Sequence, residues 1–162
     1  MELLVAGSGE ESLLLDLLNS TPVIDGAPTD LLANMEWLIE HHIEEAERAH
    51  LIAVRDVLQA VVRGARSPSA LKPFLDGVAL QPVATDDGID WRMAGLDAAG
   101  RAVIAWDTLR ITSPGRLRPC ANDECNLFLL DRSKPNTARW CSMAICGNRM
   151  KARRHYRRSR TD

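Results

Sequence analysis

The sequence predicts an α+β fold: a mainly helical N-terminal domain with one β-hairpin, and a small C-terminal module with four cysteines that ends in a basic helix. Three observations carry this. Apolar residues recur at helical period through much of residues 29–63 and 97–111. One stretch, 78–94, alternates instead and contains Asp86-Asp87-Gly88. All four cysteines fall after residue 119, in two equally spaced pairs.

Along the chain, Leu13–Leu18 is an apolar run broken by Asp16, a helix or a strand by pattern. Thr21-Pro22 and Gly26-Ala27-Pro28 mark a loop. Thr29 or Asp30 caps a helix with Leu32, Met35, Leu38, Ile39 and His42 near one face. A second helix runs from about Glu44 to Arg63, with a stripe through Ala46, Ala49, Ala53, Val54, Val57, Leu58, Val61 and Val62, and stops at Gly64. Ser67-Pro68 starts a short helix that buries Leu71, Phe74 and Leu75. Ile89, Trp91 and Met93 alternate with Asp90 and Arg92, as in a half-buried strand of a hairpin. A last helix, Asp97–Ile111, buries Val103, Ile104, Trp106 and Leu109. Thr112-Ser113-Pro114-Gly115 reads as a linker between residues 1–113 and 116–162.

Composition bounds the function. Of 162 residues, 46% are hydrophobic and 26% charged, enough for an ordinary core. The N-terminus, Met1 to Glu11, has no basic region or long apolar run, so no signal peptide is expected, and no stretch approaches membrane-spanning length. A cytoplasmic location and no membrane partner follow as expectations. The net charge of −2 conceals an asymmetry: residues 1–114 sum to −10 and residues 115–162 to +8. The basic part is suited to a polyanion.

Cys120, Cys125, Cys141 and Cys146 form C-x4-C, fifteen residues, then C-x4-C. In a reducing compartment that spacing points to metal rather than disulfides. Two thiolate turns supply the tetrahedral shell of one zinc ion per chain, and a full thiolate shell is structural rather than catalytic. Phe128-Leu129-Leu130 is expected as a strand, with Arg139-Trp140-Cys141 returning beside it. Losing one cysteine should unfold this segment while the N-terminal domain survives. The partial H-x-E…P-C match at His42, Glu44 and Pro119-Cys120 fails the zinc-deaminase pattern, because the next cysteine is two residues too distant. No enzyme constellation emerges.

Beyond Cys146 the chain is basic. Arg149, Arg153 and Arg157 share a helix face, extended sideways by Arg154 and Arg158, with Lys151 nearby. These six side chains are the candidate phosphate contacts, with steadying of the finger as the alternative role of Arg149. Asp16 and Asn19 are expected to bond local backbone, with a pocket role as the alternative. His41, His42 and His50 are expected at a helix surface or a boundary, the Glu36–Glu47 carboxylates on a solvated face, and Trp37, Trp91 and Trp106 in or beside the core.

The run Cys120-x4-Cys125, Leu127–Ser133, Arg139–Met143 and Cys146-Gly147-Asn148-Arg149 resembles the CGNR-type zinc finger. Leu15–Asn19 resembles the opening motif of the ABATE domain that usually precedes that finger, and Asp30-Leu31-Leu32 the segment that follows that motif. Asn126 and Lys134-Pro135-Asn136-Thr137 depart from the finger pattern without touching a ligand. The resemblance implies a stress-related transcription regulator that binds nucleic acid, DNA ahead of RNA. Its N-terminal domain would answer to a small-molecule or protein effector, and a homodimer would suit it. Two alternatives remain: an RNA-binding zinc-finger protein, or a zinc-stapled protein-interaction adaptor.

Overall fold

A computed structural model describes residues 8–159. The expected lack of a leader, read at Met1–Glu11, falls mostly outside those residues, as does Arg160 of the basic tail. Helix α1 (Ser8–Leu18) settles the ambiguous leucine run. Leu13, Leu14, Leu17 and Leu18 sit one turn apart in pairs and are buried, while Glu10 and Glu11 complement the helix N-terminus. The Thr21–Pro28 loop contains a minimal hairpin, β1 (Val23–Ile24) and β2 (Ala27–Pro28).

The helix expected after Asp30 is broken in two. Asp30 caps a single 3-10 turn, Leu31–Ala33, and Asn34 then caps α2 (Met35–Glu40). Two cap-forming side chains four residues apart interrupt the pattern, which periodicity alone ignores. As a result Leu32, Trp37 and Leu38 are buried, whereas Met35 and Ile39 face solvent. His41 sits at a boundary, half-buried. It stacks on Trp37 with ring centroids 3.9 Å apart, and its Nε2 lies 3.1 Å from Asp16 Oδ2.

Helix α3 (Arg48–Val62) follows a 3-10 turn at Glu45–Glu47. Its buried stripe is Leu51, Val54, Leu58 and Val61; Ala46, Ala49 and Ala53 lie outside it. Gly64 ends the helix at φ +74°. Arg55 is also buried on this helix. Its guanidinium makes two bonds to Asp30, at 2.6 and 3.0 Å, one to Asp56 at 3.0 Å and one to Ser20 Oγ at 3.3 Å. Asp30 therefore caps a turn and neutralises a buried cation at once. Burial opposes ionisation of Asp30, but Arg55 and the Leu32 N–H outweigh it and hold the carboxyl below its usual range.

A 3-10 segment, Pro68–Leu75, buries Leu71 and Phe74 and leads into the hairpin β3 (Ala79–Thr85) and β4 (Gly88–Ala94). The hairpin forms where the Asp-Gly step predicts one, but Asp86-Asp87 make the two-residue loop and Gly88 pairs with Thr85 as the first residue of β4. At the hairpin's foot Gly95 adopts φ +75°, and a Cβ there would stand 2.6 Å from the Gly77 carbonyl oxygen. The expectation of a half-buried strand fails: Ile89 and Trp91 are exposed. Alternation reports two chemically different faces, not that something covers the apolar one.

Asp97 caps α4 (Ala98–Thr112), accepting from the Gly100 N–H at 2.8 Å, and its other oxygen meets His50 at 2.6 Å. Val103, Trp106 and Leu109 are buried, and Ile104 is half-buried. The core lies among α1, α3, α4 and the Pro68–Leu75 segment. After α4 come β5 (Leu117–Pro119) and β6 (Phe128–Leu130), antiparallel to each other. Phe128 is 2% exposed and belongs to the helical core. Asn19, at the end of α1, donates to the Phe128 carbonyl at 3.3 Å and accepts its N–H at 2.7 Å. The side chain thus acts as a strand partner for β6, a distant role where a local one was expected.

No helix among the described residues is long and apolar enough to cross a membrane.

Candidate metal centre

Strand β5 delivers Cys120 to the first cysteine turn. The Cys120 N–H donates to the Leu127 carbonyl at 2.8 Å, and the Cys125 N–H to the Asn122 carbonyl at 2.8 Å. Asn122 is buried; its Oδ1 accepts from Glu124 N at 3.3 Å. Strand β6 then leads into a loop built around Asp131. This buried carboxylate accepts from Ser133 Oγ (2.6 Å) and N (2.9 Å), from Ala138 N (2.8 Å) and from Arg118 Nη2 (2.6 Å). Those bonds, the serine hydroxyl foremost, hold its pKa at about 2. The loop returns the chain so that Ala121 N donates to Arg139 O at 2.8 Å. Arg139–Cys141 is therefore not the second strand expected beside β6. That place belongs to β5, and 139–141 is held by a single backbone bond and by Cys141 itself.

The second turn runs from Cys141 through a wide, π-type turn, Met143–Gly147, and continues as α5 (Asn148–Arg158). Cys146 lies buried at the foot of that helix. A Cβ on Gly147 would meet Met143 Sδ at 2.7 Å and Trp140 Cδ1 at 3.3 Å, so the turn is packed against Trp140.

All four Sγ atoms lie within 4.8 Å of one another. Cys141 Sγ is 3.7 Å from both Cys125 Sγ and Cys146 Sγ. Zinc–sulfur bonds of about 2.3 Å in a tetrahedron require sulfur–sulfur edges of about 3.8 Å. The donor set and its spacing fit one structural zinc ion, held by Cys120, Cys125, Cys141 and Cys146. Three N–H groups point at the sulfurs at 3.4 Å each: Leu127 N to Cys125, Cys141 N to Cys120 and Asn122 Nδ2 to Cys146. Such donors stabilise thiolates and orient them. Burial pushes the Cys125 and Cys141 thiols above their ordinary pKa. Burial also opposes the Cys146 thiolate, but the Asn122 amide and the neighbouring thiols outweigh it and bring that pKa down. A divalent cation resolves the conflict by deprotonating all four ligands.

The six basic candidates divide between two sides of α5. Lys151, Arg154, Arg157 and Arg158, with Met150, line an open groove of about 620 Å³ whose opposite wall is Arg139, Trp140 and Gly147. Arg153 turns away from that groove and bonds Glu124 at 2.5 Å, holding that carboxyl below its usual range; Arg149 adds to the same field. The face expected to carry Arg149, Arg153 and Arg157 together is thus split, because Glu124 of the first cysteine turn captures one side of it. Reading the helix alone missed Arg139 and Trp140, which the second cysteine turn sets opposite. Their signal was adjacency to Cys141. Trp140 is half-buried, and the Arg139 guanidinium carbon lies 5.3 Å from its ring centroid.

Residues 116–159 match the family model described as the CGNR zinc finger. A search of curated proteins returns no match to the chain.

Proposed function

We propose that the chain is a zinc-dependent, DNA-binding regulator of transcription in which the cysteine cluster builds a basic groove for the phosphate backbone. The observation that supports this most is the groove itself. Four cations of α5 and Arg139 converge on one concavity, next to a metal site that orients both walls. Each phosphate contact would add counterion release, and hence affinity and salt dependence. Arg149 and Arg153 act differently in this reading, bracing the first cysteine turn through Glu124. The helical domain ahead of the finger, ABATE-like in its Leu15–Asn19 and Asp30–Leu32 segments, would be the regulatory part, stress-related and open to a small-molecule or protein effector. No catalytic role is assigned to any residue.

A second reading, single-stranded RNA, is favoured by Trp140. An indole in a cationic groove is a stacking platform for an unpaired base.

The test is fluorescence anisotropy of zinc-loaded protein with duplex DNA, single-stranded RNA and heparin across a salt series. Replacing Lys151, Arg154 and Arg158 together by Ala should weaken duplex binding and flatten the salt slope by about 0.9 per lost phosphate contact. Replacing Arg149 and Arg153 should change the slope less. Equal loss from both sets would contradict the groove assignment, and stronger binding to RNA that depends on Trp140 would favour the second reading.

A further inference from the structure

The hairpin β3–β4 serves neither the core nor the zinc site. On one face Leu80, Pro82 and Ala84 stand opposite Met93, Trp91 and Ile89. Leu80 is 54%, Trp91 56% and Ile89 61% exposed. The two edges of the hairpin are not equivalent. Thr85 and Gly88 flank a two-residue loop and so form a hydrogen-bonded pair. Alternation along the ladder then turns the N–H and C=O of every second residue outward. On β3 the outward residues are Leu80, Pro82 and Ala84, and Pro82 has no N–H to offer. On β4 they are Ile89, Trp91 and Met93, each with both groups. Among the described residues no backbone hydrogen bond reaches that β4 edge. An edge of this kind is a template for another strand.

The residues of β4 specify which strand fits. Ile89-Asp90-Trp91-Arg92-Met93 is self-complementary about Trp91. In an antiparallel pairing with a second copy, centred on Trp91, Ile89 faces Met93 of that copy and Trp91 faces Trp91. These are the outward-facing residues, so each pair exchanges both of its N–H···O bonds. Asp90 then faces Arg92 of the second copy, twice, at the non-hydrogen-bonded positions where side chains approach most closely. In one chain the same two groups form an exposed pair at 3.9 Å on a common face, ready to exchange partners. Sliding the register by two residues one way sets Asp90 against Asp90; sliding it the other way sets Arg92 against Arg92. Of these three registers only the centred one is free of like-charge opposition, and it alone sets Asp90 against Arg92 twice.

We propose that the chain forms a two-fold dimer through β4, giving a continuous four-stranded antiparallel sheet with Trp91 on the axis. The interface is isologous, as closed two-fold symmetry requires. It lies apart from the finger, so it presents two basic grooves without using them.

Sedimentation equilibrium of the full, zinc-loaded chain, without nucleic acid, tests this with four proteins: wild type, Asp90→Arg, Arg92→Asp and the double exchange. Wild type should dimerise. Each single reversal should weaken the dimer at least about tenfold, because two attractive pairs become two repulsive ones. The double exchange should restore it. Far-UV circular dichroism of the variants should match wild type, since both side chains are solvent-facing, and a single reversal should melt lower only at concentrations where wild type is dimeric. A wild type that stays monomeric at every concentration would overturn the proposal. So would single reversals that dimerise normally, or a double exchange that fails to rescue. Loss of nucleic-acid binding would leave this result untouched, so the two readings fail separately.

Discussion

Cys125→Ser abolishes stoichiometric zinc binding and unfolds the finger over residues 116–159. The sulfur it removes stands 3.7 Å from Cys141 Sγ and accepts the Leu127 N–H. A serine hydroxyl stays protonated and does not replace a thiolate ligand. Changes to outer-shell partners alone cost about 10–100-fold in metal affinity, so loss of a ligand should exceed about 100-fold. In zinc-finger peptides the metal contributes roughly 10–16 kcal/mol of apparent binding free energy, much of it folding energy. The finger has little to replace it, since among its described residues the buried apolar set is small: Phe128 and Leu129 beside Cys120 and Cys146. The effect should spread further than the sequence implies. Because Phe128 belongs to the helical core, α1 to α4 should remain helical by circular dichroism yet melt at a lower temperature. Metal analysis showing one zinc retained per chain would refute the ligand assignment. An unchanged melting temperature in the zinc-free variant would refute the shared core.

Phe128→Ala separates docking from coordination. The ring is fully enclosed, with the Arg63 guanidinium 4.3 Å above it, and Asn19 holds its backbone on both sides. Removing a buried phenyl costs about 3–5 kcal/mol in lost transfer energy and residual cavity. Against a typical domain stability of 5–15 kcal/mol that is a large fraction. For a chain of this size it corresponds to a fall of roughly 6–20 °C in Tm. The four sulfurs come from the turns on either side of β6, so zinc should still bind. Thermal denaturation with metal analysis reads both. A Tm within a degree of wild type would mean that the ring does not tie the finger to the helices.

Local chemistry was legible in the sequence. The two C-x4-C pairs, the cap at Thr29 or Asp30, the stop at Gly64 and the hairpin turn around Asp86-Asp87-Gly88 each act within a few residues. What stayed hidden depends on distant partners. Arg55 reads as the polar side of α3 until Asp30, Asp56 and Ser20 surround it. Asn19 and Phe128 are 109 residues apart in sequence, and no pattern announces their pairing. Asp131 stands in the motif run without a visible task; only the folded loop shows four donors meeting it. Trp91 was misplaced because alternation distinguishes faces but not whether another layer exists. The basic helix was read as one face because Glu124, which divides it, comes from another turn. In each case a tertiary contact outweighs a local pattern.

The central claim is that zinc assembles the groove that receives the polyanion. The most direct measurement is a titration of duplex DNA into the zinc-loaded chain and into the same chain after chelation, at low and moderate salt. The account predicts salt-sensitive binding by the loaded protein, lost on chelation and regained when zinc is restored. Binding of equal strength with and without zinc, or no binding at low salt by the loaded protein, would contradict it.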